Sequence, residues 1–246
     1  MTLDILAFAA HPDDAELGCG GSLILAADKG LKVSIADLSG AEMSSRGDVE
    51  MRRQEAAEAS KHLGLSERHN LDLPDTKIGS DPAHRLAIVQ HIRKTKPRIV
   101  LAPYWEDKHP DHAAAGRLVR EACFLAGVRK AGDGPPHRPE KIYYYMISHP
   151  FEPSFVVDIS TVRDRKEAAI SAYKSQFEAT SKGPSTPISQ PGFMQLMEAR
   201  SIWFGKMIGA AYGEPFFMPG PVPLRELPGA EEVEPLPSAA PPYSMY

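Results

Sequence analysis

Short apolar runs separated by longer amphipathic stretches constrain this chain more than any other feature. Leu3 to Ala9 has the length and apolar character of a strand buried on both faces. From Asp13 or Asp14 to Lys29 the pattern is helical, with carboxylates in the first turn and Gly30 as the stop. Lys32 to Leu38 is a second strand, and Asp48 to Leu63 a charged amphipathic helix closed by Gly64. A helix over Asp81 to Lys94, a strand over Arg98 to Pro103 and a helix over Pro110 to Gly127 follow. Strands alternating with helices make βαβ units. The expected fold class is therefore α/β, a Rossmann-like and mostly parallel sheet with helices on both faces.

Beyond Gly127 the pattern changes. Lys141 to Ser148 and Ser154 to Ile159 read as strands joined by the turn-rich His149-Pro150-Phe151-Glu152-Pro153. Thr161 to Phe177 and Phe193 to Tyr212 read as helices, split by a Ser/Thr/Pro/Gly segment from Ser181 to Gly192. Proline becomes dense after Pro215, so the expected organisation is one domain over residues 1–217 and a Pro-rich C-terminal extension over 218–246.

Within that frame two short motifs carry the chemistry, Ala10-His11-Pro12-Asp13-Asp14 and His109-Pro110-Asp111-His112. The first follows the first strand directly and the second follows the strand ending near Pro103. Both thus fall at the carboxyl ends of parallel strands, where open α/β sheets gather their ligands. A catalytic zinc takes three His or Asp/Glu ligands, keeps a position for water, and needs a carboxylate nearby to accept a proton. The i,i+3 spacing lets two side chains of one turn meet at a single ion. We assign His11, Asp14 and His112 as ligands, Asp13 as general base and His109 as the residue that steadies an oxyanion or protonates a leaving amine. Asp111 is expected to orient a histidine from behind. Two histidines and one aspartate accept Fe(II), Mn(II) or Co(II) as well as zinc. Read blandly, each motif is a turn with a helix cap, yet two of them at the ends of two parallel strands favour a metal.

Gly18-Cys19-Gly20-Gly21 with Asp37 further on hints at a dinucleotide fingerprint. Its glycines, however, fall inside the helix, and the turn that would receive a pyrophosphate holds two carboxylates. Close helix packing is the expected role. Cys19 and Cys123 have no CxxC partner and are expected to be buried thiols. The net charge of -4 gives no reason to expect nucleic-acid binding. No run approaches the ~18 apolar residues of a membrane span, and the first ten residues lack a signal-peptide pattern, so a cytoplasmic protein is expected.

The paired motifs, with Ala15-Glu16 after the first, resemble the PIG-L (LmbE-like) zinc-dependent deacetylases of N-acetylglucosamine-bearing substrates. Ser45-Arg46-Gly47, Arg52-Arg53-Gln54-Glu55-Ala56 and Leu71-Asp72-Leu73-Pro74-Asp75 resemble the branch serving bacillithiol biosynthesis. So do Trp105-Glu106-Asp107, Pro153 to Ile159, Tyr173-Lys174-Ser175-Gln176-Phe177 and Tyr212-Gly213-Glu214-Pro215-Phe216, which extends the likeness over about residues 3–217. The resemblance implies the same ligands, His11, Asp14 and His112, with Asp13 as base and His109 on the oxyanion side. It also implies substrate contacts by Arg52, with Arg46 and Asp107 as weaker ones, and a homo-oligomer, six copies being the number it suggests. The substrate it implies is an N-acetylglucosaminyl malate, whose carboxylates would suit Arg52 and Arg46. Diacetylchitobiose or a mycothiol precursor are the rivals within the class, and a metal- or sugar-binding module without turnover is the rival outside it.

Overall fold

A computed structural model describes residues 2–178 and 183–222. Five strands run parallel in the order β3 (Glu67–Asn70), β2 (Val33–Asp37), β1 (Ile5–Ala9), β4 (Ile99–Pro103), β5 (Lys141–Tyr145). Beyond β5 come β7 (Gly213–Phe217), antiparallel to it, and β6 (Phe155–Asp158) at the edge. Ile5 of β1 pairs with Val33 on one side and Ile99 on the other, so β1 is the middle of the five parallel strands and both neighbours are registered on it. The chain is an α/β, mostly parallel sheet, as its alternating pattern predicts.

Strand alternation gives the sheet two cores. Leu6 and Phe8 of β1 pack with Val100, Ala102 and the helices α3 (Pro82–Thr95) and α4 (Pro110–Ala126) on one face. Ala7 and Ala9 face the opposite side with α1 (Asp14–Asp28), α2 (Val49–Leu63) and α5 (Arg163–Ser171). The long helix predicted over Thr161 to Phe177 is divided: α5 ends at Ser171, and the short α6 (Lys174–Phe177) follows after Tyr173. The last helix, α7 (Pro191–Met207), begins two residues earlier than predicted and ends five residues sooner.

Local sequence accounts for the helix ends that matter to the site. The Asp48 side chain caps α2 by accepting from Met51 N at 2.8 Å, and Gly64 closes the helix at φ 70°. His109 precedes Pro110 at N1 of α4, and its imidazole accepts from Asp111 N at 3.2 Å.

The glycines of α1 give room to neighbours, not to a cofactor. A Cβ on Gly18 would overlap the Tyr145 ring, and one on Gly21 would lie 2.7 Å from Ile159. Glu214 of β7 reaches the same stretch, accepting from Gly21 N at 2.7 Å, Ser22 N at 2.7 Å, Ser22 Oγ at 2.6 Å and Lys166 Nζ at 2.6 Å. Leu17 O, one helical step back from Gly21 N, accepts from Lys166 Nζ and Arg200 Nη2. Cys19 lies in the core of that face, and burial pushes the Cys123 thiol up to about 12. Both are free, buried thiols.

No helix among the described residues is long and apolar enough to cross a membrane. β7 ends at Phe217, and residues 223–246 of the expected extension lie outside the described residues.

Candidate metal centre

Three loops meet at the carboxyl edge of the sheet: that after β1, that after β3, and that between β4 and α4. They bring His11, Asp13 and Asp14 together with Asp75, and with Asp107, His109, Asp111 and His112. Asp14 lies between two imidazoles, with Oδ1 3.1 Å from His112 Nε2 and Oδ2 3.6 Å from His11 Nδ1. The outer nitrogen of each imidazole meets another carboxylate: His11 Nε2 lies 3.1 Å from Asp75 Oδ1, and His112 Nδ1 3.1 Å from Asp107 Oδ1. A carboxylate behind each histidine is how proteins fix the tautomer and direction of metal-binding imidazoles. Ligating atoms of His11, His109 and His112 lie within 4.8 Å of one another, as do those of His11, Asp75 and Asp111.

The donor set fits a divalent ion. Five carboxylates (Asp13, Asp14, Asp75 and Asp111 buried, Asp107 half-buried) crowd three imidazoles and the Arg52 guanidinium, leaving a surplus of negative charge. The imidazoles respond by binding protons. Burial opposes this at His112, but Asp14 beside it and the bond to Asp107 carry its pKa up to about 9. Burial likewise opposes it at His11, where bonds to Asp111, Asp14 and Asp75 prevail and raise the pKa well above the usual value. Burial would raise Asp14, but the His112 charge and bonds from both imidazoles hold it well below the carboxylate range. A divalent cation would replace those protons. Nitrogen and oxygen donors of this kind suit zinc, Fe(II), Mn(II) and Co(II) alike.

Asp13 stands apart from the donors. Its backbone lies at φ 132°, a region L residues rarely adopt, and its side chain makes no helix-capping bond. Arg52, 2% exposed, donates from Nη2 to Asp13 Oδ2 at 3.0 Å and to Pro12 O. Burial raises the Asp13 pKa, Arg52 opposes and Asp14 adds to the rise, leaving it at about 6. That is a suitable value for a group that accepts a proton near neutrality. His109 stacks on the His112 ring at 4.6 Å, and because its Nδ1 accepts from Asp111 N, its neutral form carries the proton on Nε2.

Other residues singled out in the sequence bond within the chain. Arg46, expected to face substrate, donates to the carbonyls of Ser175, Glu178 and Pro184 at 2.8, 2.6 and 3.3 Å, tying its loop to those three residues. Arg52, expected to contact substrate, holds Asp13. Asp107, also expected to contact substrate, accepts from His112 and from the amides of His109, Ser148 and His149. Asp111 lies 3.4 Å from His11 Nε2 and accepts from Thr76 N at 2.7 Å. Asp75 is the site residue to which the sequence reading gave no role. Pro74-Asp75 following β3 was the available signal, but β3 is the polar Glu-Arg-His-Asn and does not read as a strand.

Fold and site together define a Rossmann-like α/β protein with a histidine–carboxylate cluster on the strand edge. The sequence model of the PIG-L family, described as GlcNAc-PI de-N-acetylase, matches residues 6–123, which span both motifs. The chain is 30% identical over 233 residues to the diacetylchitobiose deacetylase of Thermococcus kodakarensis, covering 88% of this chain and 83% of that one. A probable N-acetyl-alpha-D-glucosaminyl L-malate deacetylase 2 of Bacillus cereus is 27% identical, with 73% and 86% covered. The crystal structure of a conserved protein of Thermus thermophilus, TT1542, superposes with a TM-score of 0.85 at 44% identity, over 94% of this chain and all of that one. The chain belongs to the PIG-L family.

Proposed function

We propose that the protein is a metal-dependent hydrolase that removes acetyl from a small N-acetylglucosamine conjugate. The observation that carries it is the pairing of a three-donor cluster, each histidine backed by a carboxylate, with a separate buried carboxylate at Asp13. His11, Asp14 and His112 would hold the ion. When bound, a divalent ion supplies Lewis acidity toward an amide carbonyl and toward the attacking water. Asp13 takes the proton from that water, its carboxylate fixed by Arg52. His109 offers its Nε2 proton to the developing oxyanion. Proton return to the leaving amine falls to Asp13 or His109, and acetate and a free amino sugar result. Asp75 and Asp107 hold the two histidines, and Asp111 supports His11. A carboxylate held apart from the three donors, buried and oriented by Arg52, is what an amide hydrolase needs and a binding module does not, which favours the enzyme.

For the particular substrate, the N-acetylglucosaminyl malate reading rests on the quoted motifs and on the Bacillus cereus relative. Arg46 gives it no further support, since its guanidinium is bonded to the chain itself, and Arg52 is turned toward Asp13 through Nη2. Acetate release from the malate conjugate, diacetylchitobiose and free N-acetylglucosamine tests the proposal. At least one conjugate should be cleaved by the wild type and by neither Asp13→Ala nor His112→Ala, with Asp13→Ala keeping its metal. Metal-loaded protein that releases no acetate from any of the three would remove the deacetylase reading.

A further inference from the structure

A cavity of about 150 Å3 lies between α1, α5, α7 and β7, and no residue of the metal centre lines it. Its walls are largely apolar: Leu17, Ile159 and Ile170 are buried, and Met194, Met197 and Tyr212 half-buried. Gln195 and Glu198 are exposed, so the cavity opens to solvent beside α7. A void of this size accepts a benzene ring. Three cations and three carboxylates also line it, and the carboxylates are all engaged by two of the cations. Arg163 holds Glu167 and Glu198 at 2.7 and 2.8 Å, and Lys166 holds Glu214 at 2.6 Å. The third cation, Arg200, has no carboxylate partner among the described residues. It donates from Nη1 to Ile147 O at 2.5 Å and from Nη2 to Leu17 O at 2.9 Å, and the rest of its N–H groups meet no acceptor among those residues. Burial lowers its pKa to about 10, and the charges of Glu214 and Asp107 offset only part of that fall.

We propose that this cavity is a second ligand site, which binds a small carboxylate with an apolar, ring-sized body. The carboxylate meets the unused N–H groups of Arg200, and the body lies against Ile159, Ile170, Met194 and Met197. A guanidinium edge takes a carboxylate through two parallel N–H···O bonds, and apolar walls strengthen that pair by excluding water. Apolar walls with one placed polar group are the usual make-up of a small-molecule pocket. Methionine, unbranched and adaptable, fits its shape to the body it covers. Arg200 also holds Ile147 O, which directly precedes the Ser148 and His149 amides bonded to Asp107, so an occupant would sit one loop away from His112. The site goes beyond the deacetylase reading and does not rest on it.

Isothermal titration calorimetry on the metal-loaded full chain tests it, with benzoate as the probe and benzamide as its uncharged match. Benzoate at millimolar concentration should bind at one per chain, and benzamide about 10-fold more weakly or worse. A carboxylate can also coordinate a metal, so His112→Ala is the control and should bind benzoate as the wild type does. Ser201→Phe, which fills the cavity and leaves Arg200 in place, should abolish binding with the far-ultraviolet spectrum unchanged. Arg200→Gln should weaken benzoate about 10-fold and leave benzamide unaffected. Benzoate that binds no better than benzamide, or equally well to Ser201→Phe, would overturn the proposal. So would benzoate that does not bind the wild type, or that is lost in His112→Ala, which would place the carboxylate on the metal.

Discussion

Asp13 combines a backbone at φ 132° with a buried carboxylate 3.0 Å from Arg52 Nη2. Arg52 holds this carboxylate through Nη2 alone, and the same Nη2 is tied to Pro12 O, which fixes the guanidinium in a way the flexible lysine stem would not. If Arg52 positions the base, Arg52→Lys should lower kcat about 10-fold and Arg52→Ala about 100-fold, with KM little changed. Steady-state kinetics on a cleaved conjugate decides this, since a substrate-binding role would instead raise KM. A second prediction concerns His91 of α3, away from the metal centre. Burial lowers its pKa to about 4, helped by His69 and Lys94, against about 6.5 in an unfolded chain. Between those values the unfolded state binds more protons, so the contribution of His91 is complete above pH ~6.5 and is lost as pH falls toward ~4. The full loss is about 3 kcal/mol, and melting curves of wild type and His91→Leu should diverge over that window, with the variant falling less. Much of the site was legible at this scale. His11, Asp13, Asp14, His109 and His112 stand in two motifs whose place at strand ends follows from the apolar runs before them. The partners of the arginines and of Asp107 were not, because a charged side chain is the same letter whether it meets a ligand or a carbonyl.

In α1, the helix that presents Asp14, Glu214 does what backbone carbonyls usually do. It accepts from the Gly21 and Ser22 amides while Lys166 bonds both Glu214 and Leu17 O. Removing this carboxylate leaves a buried ammonium and two amides without their acceptor. Glu214→Ala should therefore cost about 3–5 kcal/mol, read from urea unfolding midpoints. Gly18→Ala should cost about 1–3 kcal/mol, since its Cβ would meet the Tyr145 ring. The elements themselves were unevenly readable. β1, β2 and β4 are buried on both faces and announce themselves as apolar runs. β3 lies at the sheet edge, where one side needs no apolar residues, and so reads as a polar loop. β7 carries Pro215, which argues against a strand from sequence, yet it sits inside the sheet between β5 and β6. The glycines of α1 lie inside the helix, where their spacing places them. Their neighbours, Tyr145 and Glu214, lie far along the chain and could not be read from spacing.

Across the whole molecule, the parallel order β3-β2-β1-β4-β5 places the ends of β1, β3 and β4 on one edge, and the site needs all three. Asp75 reaches His11 only because β3 runs parallel beside β2, and His112 reaches Asp14 only because β4 lies beside β1. We propose residues 1–217 as the deacetylase domain, the sheet being closed by β7 at Phe217. A chain ending at Val222 should keep the melting temperature and the acetate release of the full chain. We propose that one divalent ion, held by His11, Asp14 and His112, makes this surface an amide hydrolase. The most direct measurement is acetate release by metal-stripped protein as zinc is titrated back. No release is expected from stripped protein, and a plateau should be reached at one equivalent per chain, absent in Asp14→Ala. Release that survives stripping, or that returns equally in Asp14→Ala, would contradict it.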